Sequence, residues 1–169
     1  FNGIIDQVQV YNYARTPAQI AWDYNRGKPV GWWKFDECQG ATAYDSSGNA
    51  NTGTITIGSL GSQSSLGTCA ASAASAWYSG LTGKFNSSLN FDGTDDYVSI
   101  ADNTAMDTTT SFSFSAWVYS NSISTEQMIF SNASALLGWH VEIYQSKMIL
   151  QVFPSSSYTF SSKTLSSGT

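Results

Sequence analysis

Asp45, Asn49 and Asn51 gather hard oxygen donors in one short stretch of this 169-residue chain, and Asp92, Asp95 and Asp96 do so in another. A calcium ion needs several such oxygens at about 2.3–2.6 Å, which acidic turns and backbone carbonyls supply. Neither stretch has EF-hand spacing, and the plain alternative is that Asp and Asn simply make the turns. Cys38 and Cys69 match no C-x-x-C metal or redox spacing. They read as a disulfide, Cys38 following a strand and Cys69 sitting in a polar, irregular stretch; unbridged, they would be two buried thiols. A bridge would place the protein outside the reducing cytosol.

Catalytic sets are harder to find. His140 is the only histidine, and beside Trp139 in an alternating run it reads as a strand-surface residue. Glu126 and Glu142 stand alone, Glu37 and its neighbour Asp36 point to opposite faces, and no Ser/His/Asp or Cys/His set emerges. The chain therefore reads as non-catalytic. Aromatic faces that could stack on sugar rings are Trp77 and Tyr78, in a polar loop, Tyr158, in a Ser-rich stretch, and, as a weaker option, Trp139. Trp33, Phe35, Phe112, Phe114 and Trp117 hold strand positions and read as core. A tryptophan that merely pins down its own loop is the competing reading for Trp77.

These residues must be positioned by a mostly β framework. Hydrophobic residues make up 41% of the chain, enough for a core, while only 11% is charged against the roughly 25% usual in soluble domains. Ser and Thr take up the difference, which suits strands with a hydroxylated outer face. A net charge of -5 argues against nucleic acid, whose phosphates call for clustered Lys and Arg. No apolar run reaches the length that inserts into a membrane.

Thr16-Pro17 is an N-cap followed by proline at the first helical position, so Pro17–Asn25 is predicted as a helix with Ile20, Ala21 and Tyr24 as its apolar stripe, closed by Arg26-Gly27. Strands are predicted at residues 4–11, 31–37, 52–57, 111–119, 127–131, 139–144, 148–153 and 158–164. Residues 88–91 and 97–100 are predicted as a hairpin around Asp92–Asp96. Asp45–Asn49 reads as a tight turn, and the passage 58–83 is long for a loop. Many short strands separated by turn signals mean an all-β sandwich or barrel.

Three pieces in order resemble the laminin-G-like (LamG) jelly rolls of the concanavalin A-like lectin/glucanase superfamily. They are Gly31-Trp-Trp-Lys-Phe-Asp-Glu37 with Tyr44-Asp-Ser-Ser-Gly-Asn49 and Asn51-Thr-Gly53, then Leu89-Asn-Phe-Asp-Gly-Thr-Asp-Asp-Tyr-Val-Ser-Ile100, then Ser111-Phe-Ser-Phe-Ser-Ala-Trp-Val-Tyr119. The resemblance implies an antiparallel two-sheet β-sandwich with one short N-terminal helix, and it strengthens the calcium reading. The Glu-x-Asp-x-x-Glu run of the superfamily's retaining glucanases, which sets two carboxylates about 5 Å apart, does not occur here. Residues 1–14 resemble the strand that closes such a domain and 16–24 the short helix after it. On this resemblance, 1–27 is the end of a preceding LamG-like domain and 28–169 a second one cut short at its C-terminal end. The strand 4–11 is then expected to pair antiparallel with 31–37, covering an edge that is costly to leave bare.

The function implied is recognition by an extracellular or cell-surface protein, binding a glycan or another surface ligand with calcium in support, beside neighbouring domains of a longer chain. The alternatives are a structural spacer in a tandem-repeat adhesin, or a targeting module of a glycoside hydrolase or protease. The family hosts varied functions, so the fold alone does not name the ligand.

Overall fold

Threonine at 16 and glutamine at 19 close on each other at the start of the chain's helix. Gln19 N–H donates to the Thr16 hydroxyl at 3.3 Å, and Thr16 N–H donates back to Gln19 Oε1 at 2.9 Å, a reciprocal cap for two otherwise unpaired donors. The helix α1 that follows runs Pro17–Asn25, as its capping signals predict. Gly27 leaves it at φ +66, donating its N–H to Trp22 O at 2.9 Å. The expected apolar stripe is not buried at Ile20, which is exposed.

The computed structural model describes residues 10–25, 27–70, 74–77, 84–107, 112–134, 137–153 and 157–160. The strand expected at 4–11, and with it the pairing to 31–37, falls almost wholly outside them. The chain divides into two compact units, Phe1–Val30 and Gly31–Thr169, and the second holds both sheets.

The first sheet is antiparallel, in the order β1 (Thr42–Ala43), β2 (Gly53–Thr56), β3 (Tyr97–Ile100). Its register sets Ile55 opposite Val98, and Thr54 between Thr42 and Ser99. Successive side chains alternate faces, so one face carries Ala43, Ile55 and Val98 and the other a hydroxyl row, Thr42–Thr54–Ser99. This is the hydroxylated outer face that the low charge implied. The inner face packs on Trp77, with Trp33, Phe35, Ile57, Leu66 and Leu89 around it.

The second sheet is a four-stranded antiparallel meander, β4 (Gln127–Ser134), β5 (Leu137–Tyr144), β6 (Lys147–Phe153) and β7 (Ser157–Phe160). Gln145 and Ser146 join β5 to β6 with φ of 49 and 61, both positive as a tight twisted hairpin requires. Trp139, Phe130, Phe112 and Phe114 form an aromatic cluster on this sheet, Phe130 and Trp139 stacked at 5.1 Å and Phe112 and Trp139 at 4.4 Å. Trp33 lies 6.2 Å from Phe130 and also packs on the first sheet's core. One tryptophan thus joins the two cores. Among the described residues the regular elements are mostly strands, set in two antiparallel sheets, consistent with a sandwich.

Three predicted strands come out differently. Residues 31–37 make a single bridge, Trp33 to Asp45, instead of a ladder. Phe35 and Cys38 have φ of 56 and 57, and a left-handed residue breaks the extended run that a ladder needs. Residues 88–91 are not a strand, and β3 pairs with β2 instead. Residues 112–120 belong to no ladder among the described residues, and Trp117, expected in the core, is 71% exposed. Alternation fixes two faces but cannot name a pairing partner.

Candidate functional site

The Asp45 turn satisfies itself. Oδ1 of Asp45 accepts from the N–H groups of Trp32 (2.9 Å) and Ser47 (2.8 Å). Oδ2 accepts from the Ser47 hydroxyl (2.7 Å) and Asn51 N–H (2.9 Å). Burial pushes this carboxyl up, but the Ser47 hydroxyl and the three N–H groups outweigh it and hold it below its ordinary value. Four donors fill the roughly four lone-pair positions a carboxylate offers. Asn51 is buried, with its Oδ1 accepting from Asn103, while Asn49 is exposed. Asp45 and Asn51 therefore organise a turn, and their oxygens are already bonded within the protein.

Asp92, Asp95 and Asp96 form a different arrangement. One oxygen from each falls within 4.8 Å of the others, which is twice a calcium–oxygen distance of about 2.4 Å. All three reach across to the backbone of residues 58–63. Gly58 N–H donates to Asp96 Oδ1 at 3.0 Å, Ser59 and Leu60 to Asp95 Oδ2 at 2.9 and 3.0 Å, and Ser62 and Gln63 to Asp92 Oδ2 at 2.7 and 3.0 Å. The Gln63 N–H is the main cause holding Asp92 below its ordinary value; desolvation opposes it, and Ser62 and Thr94 add to the lowering.

Two glycines permit this approach. A Cβ on Gly58 would land on the Asp95 carboxyl, and one on Gly61, at φ +82, on that of Asp92. Asp95 Oδ1 remains buried without a hydrogen-bond partner. A buried carboxylate oxygen with no donor is unfavourable, and a cation drawing on all three side chains would satisfy it. By oxygen type, spacing and this orphaned atom, the residues fit a hard divalent cation.

Three apolar side chains belong to or flank this loop in sequence or by hydrogen bonding. Phe91 precedes Asp92, Tyr97 follows Asp96, and Leu60 donates its N–H to Asp95; all three side chains are exposed, Tyr97 by 53%. Reading 88–91 and 97–100 as one hairpin hid them, because it assigned both aromatics to strand faces. Their position immediately either side of an acidic turn was the available signal.

The aromatics singled out for stacking fare differently. Trp77 is fully buried, with Nε1 donating to Gly40 O at 2.8 Å. It is a core anchor, and the exposure expected of it is corrected: a polar loop can still fold over an indole. Tyr78 lies outside the described residues. Tyr158 is in β7, opposite Gln151. The cysteines are joined, Cys38 to Cys69, with Cα atoms 4.8 Å apart, and Cys69 N–H donates to Cys38 O at 3.1 Å.

His140 and Glu142 share one face of β5, with Nε2 3.9 Å from Oε1. Glu142 is only 7% exposed. Burial, then the charge of Glu126, push its carboxyl above its ordinary value, while His140 opposes them.

Among the described residues no helix is long and apolar enough to cross a membrane. Residues 92–169 match the Laminin_G_3 family model, described as the concanavalin A-like lectin/glucanases superfamily. Neither the curated proteins nor the solved structures contain a match. The match begins at Asp92, so it takes in the aspartate loop, β3 and the whole second sheet. Laminin-G-like domains are typically non-catalytic binding modules and generally extracellular.

Proposed function

We propose, with the laminin-G-like match over residues 92–169 as the premise, that this chain is a non-catalytic recognition module of jelly-roll type from an extracellular or cell-surface protein. It binds glycan or another surface ligand at the aspartate loop, with calcium held by Asp92, Asp95 and Asp96. The observation that carries this reading is the convergence of the three carboxylates with the buried, unpartnered Oδ1 of Asp95. The frequent binding of calcium by laminin-G-like domains supports it. Bound there, the ion would offer open coordination positions to vicinal hydroxyls or a carboxylate. Phe91 and Tyr97, both exposed and flanking the loop in sequence, offer rings for a sugar to cover.

Calorimetric titration of calcium into EDTA-treated protein tests the ion. A single site is expected, weakened about tenfold or more, that is by at least about 1.4 kcal/mol, in Asp95→Asn. No heat and no rise in melting temperature at about millimolar calcium would reduce the loop to an internal staple. A glycan array probed with and without EDTA tests the ligand. Binding lost with EDTA supports recognition at this loop, and no binding in either condition favours the spacer reading.

A further inference from the structure

Two Asn-x-Ser triplets occur in the chain, Asn86-Ser87-Ser88 and Asn132-Ala133-Ser134, each the acceptor pattern for N-linked glycans in secreted proteins. The fold treats the two amides differently. Asn132 is half-buried on β4, and its Nδ2 donates to Met106 O at 2.7 Å and to Asp107 Oδ1 at 3.2 Å. Both amide hydrogens are engaged, and they tie the strand to the short 3₁₀ turn Thr104–Met106. Asn86 is exposed, next to the exposed Lys84 and Phe85. Its Nδ2 donates to Asp36 Oδ2 at 3.3 Å.

We propose that Asn86 is an N-glycosylation site of this protein and that Asn132 is not. The inference does not rest on calcium or ligand binding at the aspartate loop. The donor is a polyprenyl-diphosphate-linked oligosaccharide. Asn86 Nδ2 bonds to the anomeric carbon, the bond from that carbon to the diphosphate oxygen breaks, polyprenyl diphosphate leaves, and one amide proton passes to the transferase's base. The product amide keeps one N–H, which is all that the Asp36 contact uses. The same reaction at Asn132 removes one of two engaged hydrogens and sets a bulky polar chain at a half-buried position, so a chain modified there does not reach this fold. The disulfide is of the kind formed in the oxidising compartment where such transfer takes place.

The test is secretion of the chain from cultured animal cells, with peptide mass mapping before and after peptide N-glycosidase. Non-reducing mapping of the Cys38–Cys69 bridge identifies folded material. The Asn86 peptide is expected to carry a glycan and to convert to Asp on enzymatic release. Ser88→Ala, which leaves Asn86 in place, is expected to abolish the modification, and Asn132→Gln to leave it intact. An unmodified Asn86 in the bridged, secreted protein, or a glycan on Asn132, would overturn the proposal.

Discussion

Trp77 and Glu142 show how far a side chain's type leaves its role open. Trp77 stands among Gly, Ser and Ala, which suggested an exposed stacking platform; it is instead fully buried, with its indole N–H bonded. Composition of a loop reports the loop's solvation and says little about where one large residue is anchored. Trp77→Ala is expected to cost about 3–5 kcal/mol, measured as a lower denaturation midpoint, with loss of the most protected indole fluorescence. A cost below about 1 kcal/mol would mean the core does not close on this ring. Glu142 read as an isolated acid, but it is not: it is buried, its charge is opposed by Glu126, and only His140 favours it. Its folded-state pKa is raised, so the protonated form favours the fold. That contribution is full below the unfolded value near about 4.3 and is lost as pH rises through the raised folded value. Glu142→Gln should therefore gain on the order of 1 kcal/mol at neutral pH and flatten the stability profile between mildly acidic and neutral pH. Denaturant melts at both pH values check it; an unchanged slope would remove Glu142 from the account.

Elements were legible in proportion to how locally their signals act. The helix bounds, the 145–147 connection and the meander strands follow from caps, tight turns and alternation, which neighbouring residues settle among themselves. Residues 31–37 and 112–120 show the limit: each alternates well, yet Phe35 takes a positive φ and Trp117 faces solvent. A ladder depends on a distant partner. The candidate site was half legible for the same reason. Its three acids were visible as a cluster, while the backbone that receives them lies some thirty positions earlier and carries no charged residue to mark it in the sequence. Gly58 and Gly61 are where that loop's role becomes testable. Gly61→Ala adds a Cβ at φ +82 against Asp92 and is expected to destabilise by about 1 kcal/mol or more and to weaken calcium binding. Stability lost with calcium affinity unchanged would separate the loop from the site.

At the scale of the molecule, the disulfide and the aspartate loop act on the same stretch of chain. Cys38 and Cys69 close a segment with a sequence separation of 31, and the 58–63 backbone that caps the three aspartates lies inside it. The closure restricts the unfolded chain by about 3–4 kcal/mol in the chain-entropy model. It also limits how far the capping loop can move from Asp92–Asp96 when the carboxylates repel one another. An ion that draws those carboxylates together is bound most tightly when the N–H donors behind them are already in place. Cys38→Ser/Cys69→Ser is therefore expected to bind calcium more weakly than the bridged protein, beyond its loss of stability, under conditions where circular dichroism shows both folded. By linkage the coupling is reciprocal, so calcium should shift the reduction equilibrium of the bridge towards the disulfide in a dithiothreitol redox buffer, and EDTA should reverse the shift. Asp95→Asn supplies the control, since it keeps the bridge and removes the ion's buried ligand. A reduction equilibrium indifferent to calcium in the native protein would show that the bridge and the loop act independently.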